Sequence, residues 1–405
     1  MHVLLASVSS ATSPAGVCRH AANIARGMLA LPAVKKVTML TGEWQSDYFC
    51  NAFDLKDERL EIRHVSISNR SLARNLWYLR GLPAAARQYG ADIIHLAYPM
   101  PVLQSAGGPP VVVSLHDLYP FDIPQNFGKK AWLNRAALKF CLQNADAIAC
   151  VSEETSARVH ELFPVRSSGK TVTIPNSIYL PSELRYASLP GAVRDCPFFL
   201  CVAQHRANKN LPLLLRSFYL ALDRGVIPAD SKLVVVGKEG PETQRLHRII
   251  TQYHLDSRVL FLRGISDARL ASLYANCDLV IAPSLLEGFG LPVAEALTAG
   301  SNVVCSDIPA FRSIGATRCT FFDPEDNSGE SLLTALQKAI TTPRSTAISP
   351  VGLEPQQAAA MYLALYSSLL LGKRTNVLQP LSAAHQTSGL LSASIQTSAS
   401  ERHSL

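Results

Sequence analysis

Four consecutive apolar residues, Leu279-Val280-Ile281-Ala282, stop at Pro283-Ser284, and a glycine-bracketed loop, Glu287-Gly288-Phe289-Gly290, follows directly. A short apolar run bounded by turn residues reads as a buried strand. Pro292 then opens a helix that runs to about Thr298 and stops at Gly300, with proline just inside the start and glycine just past the end. A strand, a flexible loop and a helix N-terminus in that order make a βα unit, which commits its surroundings to layered α/β packing.

Such a junction suits a phosphate. The first N–H groups of a helix lack internal partners and the helix dipole is positive there. Glycines let the main chain approach a ligand closely. Glu287 on the loop and Glu295 one turn into the helix flank the same place. Ionised carboxylates accept hydrogen bonds from hydroxyls, so a polyol fits between them, and phosphate plus polyol points to a nucleotide sugar. A plainer reading also exists: Ser284-x-x-Glu287 is a capping-box spacing and Glu295 a dipole partner.

With 405 residues the chain exceeds one ordinary core, so two domains are expected. A composition of 48% hydrophobic and 17% charged residues is that of a well-buried α/β protein. The formal charge of +7 suits an acidic nucleotide or an anionic membrane surface and does not demand nucleic acid. Nine scattered cysteines, with no C-x2-C pair, read as buried reduced thiols of a cytosolic protein. The N-terminal Met1–Ala6 has no basic region ahead of a long apolar run, and no stretch of about 20 residues is apolar enough to span a bilayer. A cytoplasmic location is expected, with at most peripheral attachment to the inner face of the plasma membrane.

Glu287-x7-Glu295 with G-F-G-L-P inside it resembles the E-x7-E signature of retaining glycosyltransferases of family 4, which have the GT-B fold. The resemblance implies that Glu287 contacts the transferred sugar. It implies that the amides around Gly288, Phe289, Gly290 and Leu291 hold sugar and diphosphate, and that Glu295 holds the ribose. It extends along most of residues 1–371. Gly16, after a small-residue loop, stands at the family's glycine loop, with Ala15 where a second glycine is frequent. The S-L-H-D-L-Y-P run looks like the family's H-D-L stretch, which makes His116 a donor-sugar contact, and its continuation to Pro124 resembles mannosyltransferase-like members. Arg206 and Lys209 take the R-x-x-K-N positions expected to clamp the diphosphate, while Gln204 stands where many members carry arginine. Arg263-Gly264-Ile265 would meet the base through their backbone.

The fold expected is therefore α/β, GT-B, with two Rossmann-like domains facing a cleft. Residues 1–178 form the acceptor domain, 179–197 a linker, 198–350 the nucleotide-sugar domain, 355–371 a crossover helix and 372–405 a disordered tail. His95, at the end of an apolar run, is structural or touches the acceptor. Residues 62–91 carry five arginines, no acid, Trp77 and several leucines, a pattern for a basic helix lying on anionic lipid. There is no G-x-G-x-x-G, against an NAD fingerprint, and no Asp-x-Asp, so neither metal nor organic cofactor is expected. The implied partners are a GDP- or UDP-linked sugar and a glycan or polyprenyl-linked acceptor. The implied reaction is retaining transfer of mannose or glucose in surface-polysaccharide synthesis. The alternatives are a non-catalytic nucleotide-sugar-binding protein on the same scaffold and a GT-B sugar phosphorylase.

Overall fold

A computed structural model describes residues 1–372 except 54, 105–106, 165–168, 181–187 and 345–351, and except the side chains of 129 and 130. Part of the expected linker, and all of the expected tail beyond Gly372, lie outside the described residues.

Among the described residues, seven strands make the first sheet: β1 (His2–Ala6), β2 (Lys36–Gly42), β3 (Leu60–Val65), β4 (Ile93–Leu96), β5 (Val111–Leu115), β6 (Ala147–Cys150) and β7 (Thr171–Thr173). Their order is β3-β2-β1-β4-β5-β6-β7. Six make the second: β8 (Phe198–Val202), β9 (Lys232–Val236), β10 (Val259–Leu262), β11 (Leu279–Ala282), β12 (Val303–Ser306) and β13 (Cys319–Phe322), in the order β10-β9-β8-β11-β12-β13. Every pairing within both sheets is parallel. Parallel strands are covered on both faces, which is why β5 (V-V-V-S-L) and β11 (L-V-I-A) are buried at every residue. Alternation along β1 sends Val3 and Leu5 to one core and Leu4 and Ala6 to another. Phe199 and Leu200 divide the second sheet's two cores in the same way.

The helix Pro355–Leu370 leaves the second unit and packs on the first. Its Ala358, Ala359, Tyr362, Leu365 and Tyr366 join the core beneath the first helix, Gly16–Leu29. The two helices touch at Gly27, where a Cβ would stand 2.0 Å from the Pro355 carbonyl oxygen. Tyr362 OH lies 3.0 Å from Ser114 Oγ, Ser114 lies 2.8 Å from His95 Nε2, and Tyr366 OH bonds His95 Nδ1. His95 is fully buried in this cluster, so of its two expected roles the structural one holds.

The 62–91 stretch is not one helix. Its first residues belong to β3, and helical turns begin at Ser71, pass through a π-type turn at Trp77–Gly81 and end at Tyr89. Leu72 and Leu76 project to solvent at 71% and 44% exposure, while Tyr78 and Leu82 turn inward. The thiols depart from expectation in part: Cys50 is exposed, and Cys196 and Cys319 are half-buried.

Candidate active site

In both sheets the strand order reverses between neighbours, at β1/β4 and at β8/β11. In open parallel sheets ligands bind beyond the carboxyl ends of the strands at such a reversal. The loop after β8 carries Arg206 and Lys209, and the loop after β11 carries Glu287. Because the two strands are hydrogen-bonded neighbours, their loops must meet.

They do. A short turn, Ala207–Lys209, precedes Asn210, whose φ of 48° caps the helix Leu211–Asp223. The Leu285 amide donates to the Asn208 carbonyl at 2.8 Å and joins the two loops. Lys209 Nζ then sits 2.5 Å from Glu287 Oε1, and Ser284 Oγ donates to the same oxygen at 2.7 Å. Ser284 and Glu287 therefore do bond, but not as a helix cap, since the helix starts at Leu291. Arg206 is exposed, and its guanidinium makes no ion pair or hydrogen bond among the described residues. That leaves one cation anchored and one free to meet an anion.

The helix Leu291–Thr298 begins as the sequence indicates, with Pro292 in its first turn and Gly290 ahead of it at φ 97°. Only glycine fits there: the angle is left-handed, and a Cβ would stand 2.7 Å from the Phe311 ring. Glu295, by contrast, is 4% exposed. Tyr274 OH donates to its Oε2 at 3.0 Å, and Arg19 Nη1 of the first helix lies 3.5 Å from Oε1. Burial pushes the Glu295 carboxyl up, and Arg19 and the Tyr274 hydroxyl pull it back.

The N-terminal half closes over the acidic loop. A Cβ on Gly288 would come within 1.7 Å of the His116 carbonyl oxygen, so this residue too must be glycine. The Gly288 carbonyl accepts from Ser152 Oγ at 2.6 Å and from Thr155 Oγ1 at 3.3 Å. Tyr119 OH donates to the Leu286 carbonyl at 3.2 Å and lies 3.4 Å from Glu287 Oε2. His116, beyond β5, donates from Nε2 to the Ala97 carbonyl at 2.9 Å, and burial lowers its pKa, so the ring is neutral. Beside it, Asp117 is raised to about 6, first by burial and then by Glu287, with Arg206 and Lys209 opposing. Gly16 also faces this side, with Leu291 Cδ1 at 3.8 Å from where its Cβ would be. Gly264 takes a left-handed φ of 62° just after β10, next to half-buried Ile265.

Two family models match the chain: Glycosyltransferase Family 4 over residues 14–180, and Glycosyl transferases group 1 over residues 190–347. The chain belongs to the family-4 glycosyltransferases. Among curated relatives, the O-antigen chain mannosyltransferase RfbU of Salmonella typhimurium is 24% identical over 214 residues, covering 53% of this chain and 57% of that protein. The match thus spans little more than half of that relative. Among solved structures, sucrose-phosphate synthase from Thermosynechococcus elongatus superposes with a TM-score of 0.67 at 20% identity, covering 92% of this chain and all (100%) of that one. Anabaena HepE, solved in complex with UDP-glucose, gives 0.61 at 17% identity, over 93% and 100%. The shared fold is GT-B.

Within this family-4 glycosyltransferase, the structure brings Lys209, Glu287, Gly288 and His116 together, with Arg206 at the rim. It adds Tyr119, Asp117, Ser284, Arg19 and Tyr274 to the site. Asp117 and Tyr119 lie in the same H-D-L-Y run as His116, so that signal was present. Arg19 carried none, because its partners stand in the other half of the chain.

Proposed function

We propose that the protein transfers a hexosyl group, mannose or glucose, from a UDP- or GDP-linked sugar to a glycan or polyprenyl-linked acceptor of surface-polysaccharide synthesis. Configuration at the anomeric carbon is retained. The bond from that carbon to the β-phosphate oxygen breaks, the acceptor oxygen bonds on the same face, and the acceptor's proton passes to the departing phosphate. Arg206, Lys209 and the amides at Gly290 and Leu291 stabilise the charge that develops on the diphosphate, work a divalent ion does elsewhere. Glu287 and His116 hold the sugar's hydroxyls, Glu295 the ribose, and the backbone at Gly264 and Ile265 the base.

One observation supports this above the others. An ammonium group and a carboxylate from adjacent strands meet at 2.5 Å beside a helix N-terminus, and the opposite domain closes on that loop. The testing experiment is thermal-shift screening against GDP- and UDP-hexoses, followed by nucleotide-release and anomer-resolved NMR assays with EDTA present. One donor should bind and turn over with retention in chelator. Absence of binding by any donor would overturn the reading, and binding without turnover would favour a non-catalytic carrier. The exposed Leu72 and Leu76 beside Arg70, Arg74 and Arg80 extend the reading to contact with anionic lipid. Sedimentation with phosphatidylglycerol vesicles should be lost in Leu72→Ser/Leu76→Ser.

A further inference from the structure

Arg19 belongs to the N-terminal half by sequence and to the other half by its bonds. It stands in the first turn of the helix Gly16–Leu29. Its Nη2 donates to Asp267 Oδ1 at 2.7 Å, across 248 residues, and its Nη1 faces Glu295 Oε1 at 3.5 Å. The side chain is 14% exposed, and its Nη1 is buried with no hydrogen-bond partner among the described residues. Asp267 opens the helix that also carries Tyr274, and Tyr274 OH holds the other oxygen of Glu295. One carboxylate is thus fixed by its own domain on one side and approached from the opposite domain on the other. A buried guanidinium N–H without an acceptor costs free energy unless something supplies one.

We propose that Arg19 is a ribose-binding residue delivered by the N-terminal domain: one hydroxyl of the nucleotide's cis-diol donates to Glu295 Oε1 while its oxygen accepts from Arg19 Nη1. A hydroxyl both donates and accepts, and the facing pair offers one acceptor and one donor, so a ribose oxygen satisfies both at once. The ribose pocket is complete only when the two domains are closed, which ties closure to recognition of the nucleotide. This rests on the nucleotide-sugar reading above, and deepens it.

The test is calorimetric binding of UDP and GDP and of their 2′-deoxy and 3′-deoxy forms. Wild-type protein should bind the better ribonucleotide about tenfold or more tighter than at least one deoxy form, because a site built to bond a hydroxyl leaves its polar groups unpaired without it. In Arg19→Met, and in the conservative Arg19→Lys, that ratio should shrink several-fold while the deoxy form binds about as before. A residue with only a structural role would weaken both ligands alike. In assays of turnover, the donor KM should rise more than kcat falls. Equal binding of ribo and deoxy forms by wild type, or an unchanged ratio in Arg19→Lys, overturns the proposal and leaves the transferase reading standing. No binding of either ribonucleotide overturns both. If Arg19→Met fails to fold, the ratio in Arg19→Lys decides, because the wild-type preference alone also follows from Glu295.

Discussion

The two parallel sheets reverse their strand order in the same way, yet the ends of their strands differ in electrical character. Beyond β8 and β11 lie a lysine–glutamate pair and an uncommitted arginine. The first half carries histidines that burial keeps neutral, one within β4, one in the first helix and one just beyond β5: His95 at about 3, His20 well below its usual pKa and His116 below it. His20 and His116 meet edge to face at 4.5 Å, a contact two imidazolium ions would resist. Apart from Arg19 and Asp117, the charged groups named at the site thus belong to the half expected to carry the diphosphate. From the facing half His116 is a neutral group that can bond a sugar hydroxyl without competing for cations, while His20 and His95 are buried behind it.

The strongest way to break this contrast is to remove its charged member. Lys209→Ala should lower turnover by about 10²–10³-fold, the range found when a preorganised donor to a developing charge is lost, and Glu287→Gln, which loosens the hold on the sugar, by more than about tenfold. Steady-state nucleotide release measures it, and near-normal rates would dissolve the asymmetry. Next in size is the contact that joins the halves. Gly288→Ala forces a methyl into the His116 carbonyl, so the loop cannot dock as seen, and turnover should fall at least about tenfold with circular dichroism unchanged. A variant with normal rates would mean that catalysis proceeds from a different arrangement of the two halves.

How far the chain could be read follows the same division. The central strands were legible because strands covered on both faces are written as plain apolar runs. β3 and β13 lie at sheet edges and carry no such run. β3 reads L-E-I-R-H-V with no residue fully buried, and β13 has four residues, only one of them buried. The site's core was legible where its residues are contiguous, as in Glu287 to Leu291. Lys209 and His116 were placed through motif resemblance. Arg19, Asp267 and Tyr274 were not, because nothing in the sequence says which surfaces of two domains close on each other. His95 illustrates the converse: its position at a strand end suggests a ligand, and only the returning helix 355–370 reveals that tyrosines cover it.

A smaller effect sharpens the neutral side. His95 titrates near 3 when folded and near 6.5 as a free side chain. A lowered histidine pKa gives stability that is full above pH 6.5 and is lost as pH falls, because the unfolded chain takes up a proton that the folded one refuses. His95→Gln, which disturbs the buried bonds to Ser114 and Tyr366, should be less stable than wild type at pH 7.5. Its deficit should narrow by about 1.4 kcal/mol per pH unit below 6.5, read from urea unfolding at several pH values. Other titrating groups are common to both proteins and cancel in the difference.

The least effect, and the most discriminating, comes from Asp117, which stands where the two characters meet. Its carboxyl is raised to about 6, so near neutrality it is an anion next to the expected diphosphate. If the donor's charge lies there, binding raises that pKa further and takes up a proton. A nucleotide sugar carries no phosphate that titrates in this range, so the linkage belongs to the protein. Donor affinity should then strengthen a few-fold as pH is lowered toward about 6 and level off below it, and Asp117→Asn should flatten the profile. The opposite slope, with affinity lost as Asp117 protonates, would mean that its carboxylate accepts a hydroxyl of the donor sugar. The division into a charged and a neutral half would then end at His116 and not include its neighbour.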